Sequence, residues 1–160
     1  MVIQVDSREK AHAIQKILQE FDRQGVEWFV SKCFIGDYVS TDNFHVAVDR
    51  KQNLSELCNN VVQDHKRFAA ELERAKKYGV HLIVLVEHGK SVSCLDDVMD
   101  WVNPRLKVSP MAVSGERLFK ILSAMQNNRD KYDVEFMFCT KADTGKRIIE
   151  ILSGGNHGKE

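Results

Sequence analysis

The sequence predicts a single α/β domain in which a mixed central sheet is flanked by helices. Short apolar runs of strand character alternate with stretches whose apolar residues recur every three or four positions. The 160 residues suit one compact domain, and no internal repeat, long linker or low-complexity segment divides them. Hydrophobic residues make up 43% of the chain, enough to build a core and too many for a disordered segment.

Val2–Val5 is the opening strand. Ile14, Ile17, Leu18 and Phe21 form a helical stripe over 10–21, which Gly25 stops. Glu27–Val30 reads as a strand, and Gly36 turns the chain into another at Tyr38–Ser40. Asp42 and Asn43 mark a turn before a strand over 44–51. Asn53 or Ser55 can cap the next helix, whose first stripe is Leu54, Leu57, Cys58, Val61 and Val62. Phe68, Leu72 and Ala75 continue it after a break near 63–65, as far as Gly79. A buried-type strand at 81–86 follows, then a short helix at 96–101 ended by Asn103 and Pro104. Leu118, Ile121, Leu122 and Met125 give another helical stripe. Val134–Cys139 is the last strand and 142–152 the closing helix. The domain is expected over 1–153, with a flexible tail at 154–160. The least regular span, 92–114, where Pro110 and Gly115 punctuate a loop, reads as a mobile flap over a groove.

The 23 basic and 23 acidic residues cancel, so contact with nucleic acid would need a local basic patch rather than an overall field. The run Arg74, Lys76, Lys77 is the best such patch. Cys33, Cys58, Cys94 and Cys139 are widely spaced and form no CxxC pair; they read as reduced core cysteines. No cysteine–histidine spacing fits structural zinc, and no glycine-rich loop fits a nucleotide cradle. With charged residues by Asp6 and Arg8, no signal peptide is expected, and no apolar run approaches membrane-spanning length. An intracellular protein is expected, cytoplasmic in a prokaryotic or phage setting.

The chemistry concentrates at the strand over 44–51. Alternate residues of a strand share a face, so Asp49 and Lys51 point one way and Val46, Val48 and Arg50 the other. A hairpin would bring Asp37, at the start of the preceding strand, beside Asp49. Two close carboxylates repel unless a cation lies between them, and Mg²⁺ or Mn²⁺ suits oxygen ligands that leave room for water. Such an ion polarises a phosphodiester and acidifies bound water, with Lys51 placed to orient that water or stabilise developing charge. His45 shares the Asp49 face and reads chiefly as a polar strand residue.

A wider pattern resembles the nuclease domain of the XPF-type structure-specific endonucleases, which include archaeal Hef and belong to the restriction-endonuclease-like, PD-(D/E)XK, superfamily. Val5-Asp6-Ser7-Arg8-Glu9 resembles the V-D-x-R-E strand end. Gly36-Asp37 resembles the G-D element, and Asp49-Arg50-Lys51 the E-R-K triplet. Arg67-Phe68 with Glu71-Leu72, and the apolar strand ending in Glu87, follow in order. The triplet opens with Asp49 instead of glutamate, and Ser55 stands where the family has a further aspartate. No helix-hairpin-helix pattern follows in the last third.

The resemblance implies Asp37, Asp49 and Asp6 as metal ligands and Lys51 as the residue acting on the attacking water. It places Asp6 and Glu9 at the edge of the site, on a second metal or orienting basic residues. N-terminal capping of the 10–21 helix is the plain alternative for both. Arg8 and Arg50 would hold carboxylates or phosphate, with a structural salt bridge the alternative for Arg50, and Arg67 would contact the DNA backbone. The implied activity is Mg²⁺- or Mn²⁺-dependent hydrolysis of branched or junction-containing DNA in repair, recombination or replication, leaving 5′-phosphate and 3′-hydroxyl ends. The implied partners are DNA, a second copy through the later helices, or a DNA-gripping protein. The alternative is a non-catalytic DNA-binding or scaffold subunit of the same fold.

Overall fold

The structure is a computed structural model describing residues 1–154. Beyond Gly154, the expected tail lies outside the described residues. The element order is β1 (Val2–Val5), α1 (Ala11–Arg23), β2 (Glu27–Val30), β3 (Tyr38–Ser40), β4 (Asn43–Lys51), α2 (Leu54–Val62), α3 (His65–Lys77), β5 (His81–Glu87), α4 (Gly115–Asn127), β6 (Val134–Cys139) and α5 (Thr144–Leu152). Short 3₁₀ turns at Leu95–Asp100, Pro104–Lys107 and Lys141–Asp143 complete it.

The strands form one mixed sheet in the order β2-β1-β3-β4-β5-β6. β1 runs parallel to β2, β3 antiparallel to both β1 and β4, and β4, β5 and β6 run parallel. The α/β class and mixed sheet are those the sequence predicts.

Period-two alternation divides the core between the two faces. On β5, Ile83 and Leu85 join Ile14, Ile17, Phe21 and Ile148 under α1 and α5. Leu82, Val84 and Val86 join Leu57, Leu72, Leu118 and Phe136 under α2, α3 and α4. Asn53 caps α2 by accepting from the Glu56 N–H, while Glu56 turns back to accept from the Gln52 N–H at 2.7 Å. The break in the long helical stretch falls at Gln63 and Asp64, between α2 and α3.

Three expectations are corrected. The span read as a mobile flap is anchored: Val92, Val98 and Val113 are buried, and Asn103 Nδ2 donates to the Val113 carbonyl at 2.9 Å. Gly115 does not punctuate a loop but opens α4, where an added Cβ would stand 2.2 Å from the Trp101 carbonyl oxygen. Cys94 is exposed, whereas Cys33, Cys58 and Cys139 are buried as expected.

Candidate active site

Gly36 sets the site's first angle. Its φ of +69° is a left-handed conformation costly to other residues, and an added Cβ would meet the Val48 carbonyl oxygen at 2.9 Å. The turn brings the Asp37 N–H to the Val48 carbonyl at 2.7 Å. Tyr38 pairs with Val48 and Val39 with Ala47, so the hairpin places Asp37 beside Asp49.

The Asp37 carboxylate accepts from the Arg50 backbone N–H at 2.8 Å. Burial, then the Asp49 carboxylate, then Glu9 push its pKa well above the carboxylate range. Asp49 is itself 5% exposed. Its Oδ2 is buried and accepts no hydrogen bond of good geometry, though Lys51 Nζ lies 3.0 Å away. Burial opposes the Lys51 charge, but Asp49 outweighs it and holds the ammonium's pKa above its ordinary value. That ammonium sits 5.7 Å from the centre of the Phe68 ring on α3.

Arg50 points to the opposite face, as strand alternation requires. Its guanidinium forks between Glu9, at 2.8 and 3.1 Å, and Glu87, at 3.1 Å. Tyr38 donates to Glu9 at 3.1 Å and Thr144 to Glu87 at 3.1 Å. Burial disfavours the Arg50 charge, and the bonds to Glu9 more than restore it. Arg50 thus holds two carboxylates in a buried salt bridge, an arrangement common to both readings of it.

Asp6 lies against a basic residue, Arg8, and the backbone at Cys33. One oxygen accepts from Arg8 Nε at 2.6 Å, the other from the Cys33 N–H at 2.8 Å, and the residue is 1% exposed. Capping fails for both acids, because Lys10 occupies the α1 N-cap without a side-chain hydrogen bond. Asp6 holds Arg8, and Glu9 holds Arg50. His45 stands apart, exposed, with its ring on the Gly79 carbonyl at 3.3 Å. Ser55 lines a separate groove with Asn59, Arg105 and Val113.

Beside the carboxylates runs a cleft of about 540 Å³ lined by Arg8, Lys32, Phe34, Arg67, Glu71 and Arg74. Arg67, Arg8 and Arg74 are exposed there, so residues far apart in sequence assemble the basic patch that the net charge hides. Glu71 joins cleft to site. Its carboxylate accepts from the Gly36 N–H at 3.4 Å, and burial followed by Asp49 raises its pKa. Sequence reading used Glu71, Glu87 and Tyr38 as pattern or strand positions and missed them as site residues. For Glu87 the available signal was a carboxylate ending an otherwise buried strand, and for Glu71 its place next to the buried stripe of α3. Among the described residues, no group of three His, Cys, Asp or Glu side chains is disposed to hold a metal ion. Of the expected ligands, Asp37 and Asp49 lie together, and Asp49 Oδ2 is the buried oxygen left without a hydrogen bond. Mg²⁺ commonly uses one or two carboxylates, the rest of its shell coming from water and phosphate, and the pair fits that habit.

The sequence profile described as the ERCC4 domain matches residues 5–115. No curated protein sequence matches. Among solved structures, XPF from Aeropyrum pernix superposes with a TM-score of 0.66 at 18% identity, covering 95% of this chain. A second structure, that XPF in complex with DNA, matches with the same TM-score, identity and coverage. The chain spans 63% of the length of the XPF chain it matches. At that identity the likeness is one of fold.

Proposed function

The chain belongs to the ERCC4 domain family, and from that membership we propose that it is a metal-dependent DNA endonuclease domain. One observation carries the reading: the Asp37–Asp49 pair, with Lys51 at 3.0 Å from Asp49, adjoins an arginine-lined cleft. Buried like charges facing each other oppose folding, and a ligand that neutralises them gives a reason for keeping them.

Asp37 and Asp49 would hold a divalent cation, Mg²⁺ or Mn²⁺, which when bound supplies Lewis acidity toward a phosphodiester and acidified water. Arg8, Arg67 and Arg74 bind backbone phosphates in the cleft and set the position of the scissile group. The Lys51 ammonium, kept charged by Asp49, orients the attacking water or stabilises charge developing on the phosphate. Asp6 and Glu9 support the site by fixing Arg8 and Arg50. The proposed substrate is branched or junction-containing DNA, gripped with help from a second copy or a partner protein. Among the described residues, no helix is long and apolar enough to cross a membrane.

A second reading, a non-catalytic DNA-binding or scaffold subunit, is favoured by Ser55, which stands where the family has a further aspartate and lines a separate groove. The two readings separate in a cleavage assay on labelled flap, splayed-arm and plain duplex DNA with Mg²⁺ or Mn²⁺. The nuclease cuts at least one of them, and Asp37→Ala and Lys51→Ala each abolish cutting. Binding without any cutting transfers the assignment to the scaffold.

A further inference from the structure

We infer that the exposed rings of Phe34, Tyr78 and Phe44 form a stacking platform for unpaired DNA bases beside the phosphate-binding cleft. The inference rests on the DNA reading of that cleft and adds the ligand that one of its walls would take.

Helices α2, α3 and α4 rest on β4, β5 and β6. On the same face, next to β1 and β3, lies a groove of about 350 Å³ lined by Val39, Ala47 and Val80 and rimmed by the three rings. Phe34 is 62% exposed, Phe44 61% and Tyr78 56%. Solvent-facing aromatics clustered on one rim mark a binding surface more than chance exposure does.

Charge decides the occupant. The groove and the basic cleft share Lys32, Cys33 and Phe34, so one surface continues into the other. Arg74 lies 5.6 Å from the Phe34 ring centre, and Lys77 lies 5.6 Å from that of Tyr78. Phe34 and Tyr78 meet edge to face, centroids 5.1 Å apart, which holds the rings without a covering element. Rings with attached cations suit a ligand that is both aromatic and anionic. Single-stranded DNA is such a ligand, whereas a duplex keeps its base faces stacked on each other.

The test measures anisotropy of labelled oligo(dT) and of a short blunt duplex with the intact chain in EDTA. Phe44→Ala and Tyr78→Ala should each weaken oligo(dT) binding about tenfold and leave duplex binding little changed, and Phe34→Ala should weaken oligo(dT) binding more than duplex binding. Phe34→Trp should restore oligo(dT) binding, with its indole emission quenched by the bases. Equal losses on both DNAs, or none on oligo(dT), overturn the platform. So does a dimer in sedimentation that Phe34→Ala dissociates, which would put a second copy on this face. Failure here stays distinct from failure of the nuclease reading. Asp37-dependent cutting with unchanged oligo(dT) binding in Phe34→Ala overturns only the platform. Selective loss of oligo(dT) binding in a chain that cuts no DNA overturns only the nuclease.

Discussion

The backbone N–H of Arg50 donates to the Asp37 carboxylate at 2.8 Å, while the Arg50 side chain projects from the sheet to Glu9 and Glu87. One residue thus positions an acid on one face and anchors a charged network on the other. The Arg50 side chain is 2% exposed, so its partners depend on it for compensation. Arg50→Ala leaves Glu9 and Glu87 facing each other without a cation and should cost about 3–5 kcal/mol. A loss under about 1 kcal/mol in urea unfolding would contradict the role given to this network.

Asp37→Asn separates catalysis from folding. The amide oxygen can still accept from the Arg50 N–H, but the charge facing Asp49 is gone. DNA cleavage should fall by at least about a hundredfold. The Asp37 pKa is raised in the native state, so the native chain binds a proton more tightly than the unfolded chain. Stability contributed by that proton is therefore present at low pH and is lost as pH climbs from the ordinary 3.8 through the raised native value. Without metal, the variant should melt higher than wild type near neutral pH, with the advantage shrinking in acid. Mg²⁺ or Mn²⁺ should raise the wild-type Tm and leave the variant unmoved.

Gly36→Ala places a Cβ against the Val48 carbonyl in a left-handed conformation. A stability loss of about 1–3 kcal/mol is expected, with Asp37 displaced and activity reduced beyond the loss of folded protein. Gly25→Ala is the control, since its φ is also positive but nothing stands within 4 Å of its Cβ. Comparable activity per folded molecule in the two variants would remove Gly36 from the site's machinery.

Removing Arg67 should weaken binding to every DNA sequence alike. The slope of log K against log salt should become shallower by about one charge's worth. A salt slope identical to wild type would place Arg67 outside the DNA path.

Burial raises the Cys33 thiol to about 12 and also lifts those of Cys58 and Cys139. Cys94 is exposed. One equivalent of a thiol reagent should react quickly at neutral pH, mapping to Cys94, and the remainder only on unfolding.

The strands and helices were legible because their period is written locally. Alternation along 44–51 assigned Asp49 and Lys51 to one face and Arg50 to the other, and the structure keeps that division. The ordered motifs from Asp6 to Glu87 carried the family resemblance, and the family match spans all of them. What the sequence could not contain was the occupancy of each side chain. Asp6 reads equally as a metal ligand, a cap or a holder of basic residues until the loop at Cys33 and the Arg8 guanidinium take both its oxygens. Glu71 reads as one position of a motif, with no role of its own, until α3 packs on β5 and sets it near Asp49. The flap at 92–114 reads as mobile until Asn103 and Val113 tie it down. Local periodicity determines which face a residue occupies. Which partner it meets depends on segments tens of positions away, and only the closed sheet with its helices brings those together.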